Sequence, residues 1–252
     1  RNESSYFPKG SDIVLTIDEV LQYYAFKAVQ KKVIETRAKR GISIIMKPNT
    51  GEVLAMVEYP SYNANLYQSY SFQQAKNRAI SDTFEPGSTF KLILASAAIE
   101  EKIAQLNDIF FCENGVLDIG GIIMHEANKK KYRWLTLTEI ISKSSNIGAV
   151  KIARRLGESK FYEHIKKFGF GEKTGIDLPG EATGIVREPS QWSKVSIGSI
   201  SIGQEISTTT LQLVTAVSAI ANGGYLMKPM IVKQAIYDGR VIKSFSPEIV
   251  RK

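Results

Sequence analysis

An α+β fold, dominated by helices and with a minor sheet drawn from the two ends of the chain, is what this sequence of 252 residues predicts. Several segments repeat apolar residues at helical spacing: Asp18 to Arg40, the stretch after Ser88, Thr136 to Leu156, and Thr208 to Ala221. Two short β-rich runs, 42–46 and 53–57, flank Asn49-Thr50-Gly51, the pattern of an antiparallel hairpin. The tail alternates loosely as strand around an Asp238-Gly239 turn.

Taken in order, the first helix has Asp18 as its N-cap and Gly41 as its C-terminal stop. Its apolar face is read as Leu21, Tyr24, Ala25, Ala28, Val29 and Val33. The polar, aromatic stretch from Tyr59 to Asp82 reads as a long structured excursion. Glu85-Pro86-Gly87-Ser88 then opens a helix, because Pro and Gly break what precedes and Ser suits a cap. The residues that follow, including Leu92, Ile93, Ala95, Ala97, Ala98 and Ile99, are apolar nearly all round, so this helix is expected to cross the core. Thr136 and Glu139 have capping-box spacing, and their helix runs to Ser144-Ser145-Asn146 before a further helical pattern reaches Leu156. Residues 168–189 are rich in Gly and Pro and read as loop, and the last helix stops at Asn222-Gly223-Gly224.

Composition narrows the function classes. With 43% hydrophobic and 23% charged residues, the chain is ordinary globular material and long enough for one substantial core. No apolar run is long enough to span a bilayer, and no charged-then-apolar leader opens the chain. The abrupt polar start at Arg1 reads as a piece of a longer protein. The single Cys112 excludes an internal disulfide, and His125 and His164 lie at no metal-ligand spacing. They read as ordinary surface or loop residues, and neither cofactor nor metal is expected. A net charge of +8 raises nucleic acid, an anionic membrane surface or an acidic substrate as partners. The densest basic run, Lys129 to Arg133, has no accompanying nucleic-acid-binding motif and reads as a solvated loop, so no nucleic acid is expected.

Two short patterns can carry chemistry. Ser88-Thr89-Phe90-Lys91 is the chain's one Ser-x-x-Lys. Three residues apart on a helix, the Lys91 amine can reach the Ser88 hydroxyl. At the first turn, unpaired amides and the positive dipole end favour a nucleophile and an oxyanion. Burial is the route by which Lys91 would become a neutral base. The plainer reading is a capping serine beside an exposed lysine. Ser144-Ser145-Asn146, at a helix break, could relay a proton and bind a substrate amide, or could be an ordinary interhelix turn. The similar Ser61-Tyr62-Asn63 precedes the nucleophile, lies in the aromatic excursion and is taken as structural.

Together with Leu15-Thr16-Ile17-Asp18, the stretch Asn49 to Met56, Asn77-Arg78-Ala79, Phe84 to Lys91 and Ala221-Asn222-Gly223-Gly224, these patterns resemble class B penicillin-binding proteins, in the family's order and across nearly the whole chain. Ser-x-x-Lys, Ser-x-Asn and Lys-Thr-Gly form the signature of such proteins and of related β-lactamases. The resemblance implies the penicillin-binding/serine β-lactamase-like transpeptidase fold, a helical subdomain plus an antiparallel sheet, with residues 1–252 as part of one domain. It makes Ser88 the residue acylated by a D-Ala-D-Ala stem peptide or a β-lactam, and Lys91 its base. Ser144 would pass the proton to the leaving D-Ala, and Asn146 would hold Lys91 and the substrate amide. Attack by a neighbouring peptide's amine would then form the cross-link. The implied partners are peptidoglycan stem peptides or their lipid-linked precursor, β-lactam antibiotics, and wall-synthesis or divisome proteins. The implied location is the extracytoplasmic, periplasmic face of a bacterial inner membrane, with an anchor upstream of this chain.

The third motif departs from the pattern. Lys173-Thr174-Gly175 matches by letter but sits in a Gly- and Pro-rich loop ahead of Ile176-Asp177-Leu178-Pro179-Gly180-Glu181, a place where the family repeats such a phrase without catalytic use. The catalytic copy is expected on a strand after Gly224, and the sheet is therefore expected to be incomplete, with an open edge. Ser201 to Ile206 resembles the division-associated branch, although Glu205 stands where many relatives have Gly. A β-lactam-binding sensor or non-catalytic scaffold, and a serine β-lactamase, are the other readings; nothing in the sequence supplies the water-activating carboxylate of the last.

Overall fold

The computed structural model describes residues 10–252, so the polar opening at Arg1 lies outside the described residues. Strand β1 (Asp12–Leu15) leads into helix α1 (Glu19–Thr36). Asp18 caps α1 as its composition predicts, accepting from the Leu21 amide at 2.9 Å. The helix stops before Gly41, because Arg37 turns left-handed at φ 53°. The face differs too: Tyr24 and Ala28 are exposed, while Gln22 and Phe26 turn inward. Gln22 accounts for the rotation, exchanging hydrogen bonds of 2.9 and 2.8 Å with the Met56 backbone at a position apolar periodicity cannot score.

The hairpin forms as predicted, with β2 (Gly41–Met46) antiparallel to β3 (Val53–Tyr59). The excursion that follows holds two short helices, α2 (Phe72–Ala75) and α3 (Arg78–Ser81). The tail supplies β8 (Leu226–Met227), β9 (Val232–Tyr237), β10 (Arg240–Ser244) and β11 (Ile249–Arg251), with Asp238 and Gly239 at the β9–β10 turn. Strand β9 pairs antiparallel with both β1 and β10, and β11 with β8. Buried Thr16 ties the chain's two ends to the hairpin: its hydroxyl donates to the Val53 carbonyl at 2.6 Å and its amide to that of Ile231 at 2.9 Å. Strand β10 is solvent-exposed along its length, the open edge the sequence leads one to expect.

The rest is mainly helical. A 3-10 turn, Gly87–Phe90, runs directly into α4 (Lys91–Glu100). Strand β4 (Ile109–Phe111) pairs with β7 (Trp134–Thr136), and between them lies the hairpin of β5 (Val116–Ile119) and β6 (Ile122–His125). Helix α5 (Leu137–Ser142) begins at the Thr136–Glu139 capping box, and α6 (Asn146–Leu156) at Ser145. Helices α7 (Glu158–Lys167), α8 (Ser196–Ser201) and α9 (Thr210–Ala221) complete the set. The four strands of 109–136, α7 and α8 were not foreseen; they are too short or too polar for periodicity to register. The larger core cluster gathers Ile93, Leu94, Ala97 and Ala98 of α4 with Ile147, Ile152, Phe161 and Phe170, which puts α4 at the centre. One stripe, Leu92 and Ile99, remains exposed, so the helix is not buried on every side.

Candidate active site

Phe90 fixes where the nucleophile stands. It is fully buried, with Phe161 and Phe170 at ring-centroid distances of 6.1 and 5.2 Å. Two residues earlier Ser88 is therefore held at the surface of the core, and it is exposed. Ser88 does not cap the helix, because it lies inside the 3-10 turn and no side-chain cap bond forms there. Its hydroxyl instead accepts from Lys91 Nζ at 3.3 Å. The loop ahead of it is clamped from α8's side of the chain: the Gly87 amide donates to the Gly203 carbonyl at 3.0 Å and the Glu205 amide to Glu85 at 3.0 Å.

Lys91 is 1% exposed, and its ammonium meets only uncharged oxygens at hydrogen-bond distance. It donates to the Ser144 carbonyl at 2.8 Å, to Ser144 Oγ at 3.1 Å and to Asn146 Oδ1 at 2.8 Å, besides Ser88. Burial pushes its pKa from 10.5 down to about 8, and the charge of Glu126 pulls the other way. The four residues singled out in the sequence, Ser88, Lys91, Ser144 and Asn146, thus converge on one amine. Ser144 reaches it by adopting φ 55°, a left-handed conformation that costs a non-glycine residue free energy and is typical of functional sites.

Sequence reasoning passed over Glu126. Its side chain is 3% exposed, accepts from the Asn146 amide at 2.6 Å and makes a short contact with the Ser145 hydroxyl. The only signal was a lone carboxylate at a strand end, indistinguishable by sequence from a solvated one. His125 contributes its backbone, the carbonyl accepting from Asn146 Nδ2 at 3.0 Å, and not its ring. His164 corrects the surface reading: on α7 it is buried, with Nε2 3.0 Å from Glu101. Lys173-Thr174-Gly175 lies in irregular chain, where Glu181 accepts from the Thr174 and Gly175 amides. Asn63 caps a 3-10 turn through the Asn65 amide, so Ser61-Tyr62-Asn63 is structural. The 129–133 segment is mostly exposed loop. Cys112 is buried and unpaired. Among the described residues no group of His, Cys, Asp and Glu could hold a metal ion.

Comparison with known proteins agrees with the geometry. Residues 41–252 match the penicillin binding protein transpeptidase domain model. Penicillin-binding protein PbpB of Mycolicibacterium smegmatis is 34% identical over 96% of this chain and 38% of its own length. Peptidoglycan D,D-transpeptidase FtsI of Escherichia coli is 32% identical over 88% of this chain and 37% of its own. The crystal structure of penicillin binding protein 3 from Mycobacterium tuberculosis superposes with a TM-score of 0.89 at 33% identity, covering 98% of this chain and 56% of that one, and its ampicillin complex matches equally. The chain therefore spans well under half the length of these two sequence relatives. It belongs to the penicillin-binding protein transpeptidase domain family, among the class B proteins of the division type.

Proposed function

We propose that this chain carries the acyl-transfer site of a peptidoglycan D,D-transpeptidase, with Ser88 as nucleophile. The observation that carries the reading is the single buried amine shared by Ser88, Ser144 and Asn146. Neutral Lys91 takes the Ser88 proton as Oγ attacks the carbonyl of the penultimate D-Ala of a stem peptide. The tetrahedral intermediate collapses, the C–N bond to the terminal D-Ala breaks, and the departing amine receives a proton through Ser144 Oγ, which Lys91 Nζ contacts at 3.1 Å. The ester on Ser88 is then attacked by an amine of a neighbouring stem peptide, which restores the hydroxyl and leaves a cross-link. A β-lactam enters at the first step, its strained amide replacing the D-Ala-D-Ala bond, as expected of a relative of proteins solved with ampicillin and aztreonam.

Transfer is favoured over hydrolysis by Glu126, the carboxylate beside the cluster. Its oxygens engage Ser145 and the Asn146 amide, and it is too buried to activate a water at Ser88. The parent protein would act outside the cytoplasm with wall-synthesis or divisome proteins, held by an anchor elsewhere in its chain; among the described residues no helix is long and apolar enough to cross a membrane. The test is intact-protein mass after incubation of the full-length protein with a penicillin. A stoichiometric gain that vanishes in Ser88→Ala is the expected result, and persistent labelling of the variant would overturn the assignment.

A further inference from the structure

We propose that Glu126 is a positioning residue of this site: its buried carboxylate holds the Ser144–Asn146 turn against Lys91 and keeps Lys91 cationic until substrate chemistry draws the proton away. The proposal rests on the acyl-transfer reading and deepens it.

Glu126 is delivered by the β5–β6 hairpin, a part of the chain that contributes no member of the Ser-x-x-Lys or Ser-x-Asn patterns. Its own amide donates to the Gly115 carbonyl at 3.2 Å, so its backbone is pinned across the hairpin's open end. Gly115 has φ 90°, and a Cβ there would meet the Lys130 carbonyl oxygen at 2.3 Å, so the close approach that seats Glu126 requires glycine. From this anchor one carboxylate oxygen takes the Ser145 hydroxyl and the other the Asn146 amide. Both contacts fall on the residues between which α6 starts, because Ser145 also accepts from the Gly148 amide at 3.0 Å as the N-cap. The same three-residue turn presents the Ser144 carbonyl, Ser144 Oγ and Asn146 Oδ1 to Lys91 Nζ. Every contact that orients the base, other than Ser88 itself, therefore hangs on a segment fastened by this carboxylate.

Charge adds a second consequence. Lys91 meets no carboxylate at ion-pair distance among the described residues, and the nearby anion that raises its pKa against the effect of burial is Glu126. The other titratable groups near Glu126 are Cys112, whose thiol burial pushes up and so keeps neutral, and the Glu113–Lys151 ion pair, whose two charges offset each other. Removing the Glu126 charge should therefore let Lys91 lose its proton at lower pH, while loosening the turn should slow the reaction once the proton is gone.

The experiment is the second-order rate of acylation of the full-length protein by a fluorescent penicillin, followed from about pH 6 to about pH 9.5. For Glu126→Gln the rising limb should move to lower pH and the plateau should fall by about tenfold or more, as expected for a misplaced base. Glu126→Asp, which keeps the charge and shortens the reach, should lower the plateau and leave the limb where it was. A residue with only a structural role would cost thermal stability without moving the limb, so a folded Glu126→Gln with an unmoved limb overturns the proposal. Should Glu126→Gln fail to fold, Ser145→Ala decides: it removes one partner of the carboxylate and keeps its charge. A folded Ser145→Ala with an undiminished plateau overturns the positioning role. Labelling that persists in Ser88→Ala would sink the acyl-transfer reading as well, whereas Ser88-dependent labelling indifferent to Glu126 sinks this proposal alone.

Discussion

The two ends of α4 treat charge in opposite ways. At its start, Lys91 is buried among neutral oxygens with no carboxylate at ion-pair distance among the described residues, and burial pushes it down to about 8. Past its last turn, Glu101 accepts from Lys160 at 2.7 Å and lies 3.0 Å from His164 Nε2, and these two hydrogen bonds hold its carboxyl down at about 2. A cavity of about 340 Å³ lies beside that second end, lined by Ser96, Glu100, His164, Lys167 and others, yet no serine there contacts a lysine amine. One end satisfies its charge and the other leaves it under-compensated. The contrast teaches where function sits: a group prepared to give up its charge must be denied the partner that would stabilise it.

The sharpest way to break this comparison is to remove each cation in turn. Lys91→Met should lower the rate of acylation by penicillin about 10²- to 10⁴-fold, the usual worth of a general base. The same variant should keep or raise the melting temperature, because an under-compensated buried charge is replaced by an apolar chain of similar volume. Lys160→Met, at the far end, should leave acylation unchanged and cost a little stability, since its ion pair is half exposed. Intact mass and thermal melts on both variants read the outcome. A Lys91→Met protein that melts well below the parent would show the amine to be a structural tie and remove the distinction.

Glycine offers a second pair. Gly203 has φ 76°, and a Cβ there would lie 2.1 Å from the Gly87 carbonyl oxygen and 2.6 Å from its amide, with no flexible side chain to give way. Gly203→Ala should therefore shift the loop before Ser88 and lower acylation about 10²-fold, the scale of a displacement near 1 Å. Gly157, between α6 and α7, has φ 84° and nothing within 4 Å of a built Cβ. Gly157→Ala should cost about 1–2 kcal/mol of stability through backbone conformation alone and leave the acylation rate intact. Equal effects of the two substitutions on acylation would mean that the Gly87–Gly203 clamp does not set the nucleophile's position.

These particular residues also show what the sequence could and could not declare. The Ser88, Lys91, Ser144 and Asn146 cluster was legible because helical spacing and a helix break are local facts, and the structure needed only to bring two such segments together. The β2–β3 hairpin, the Thr136 capping box and the Asp18 cap were legible for the same reason: each is decided within a few residues. Gln22 was not, because a polar side chain bonded to the strand beside it looks like a solvent-facing one. Glu126 and His164 were missed alike, since a buried ionisable group is recognised by its partners, here Ser145 and Asn146 in one case and Glu101 in the other, and both partners are remote in sequence. Helix α7 escaped because its apolar positions, Phe161 and Ile165 with His164 beside them, are few within a polar stretch.

The smallest expected effect is the pH dependence of stability, and it tests both ends of α4 together. Lys91 has a folded value of about 8 against an ordinary 10.5. Between those values the unfolded chain holds more protons than the folded one, so stability should rise with pH across that window. The rise should be missing in Lys91→Met, because no amine remains to titrate. Glu101 behaves in the opposite sense, with a folded value of about 2 against an ordinary 4.5. Its contribution is fully present above 4.5 and is lost as the medium is acidified toward 2, a loss that Glu101→Gln should lack. Urea midpoints of parent and variants across both windows isolate each group by difference, which cancels the many other side chains that titrate at the extremes. A difference at the acid end alone would mean that Lys91 is no less comfortable as a cation than Glu101 is as an anion, and the contrast between nucleophile turn and ion-paired helix end would have to be given up.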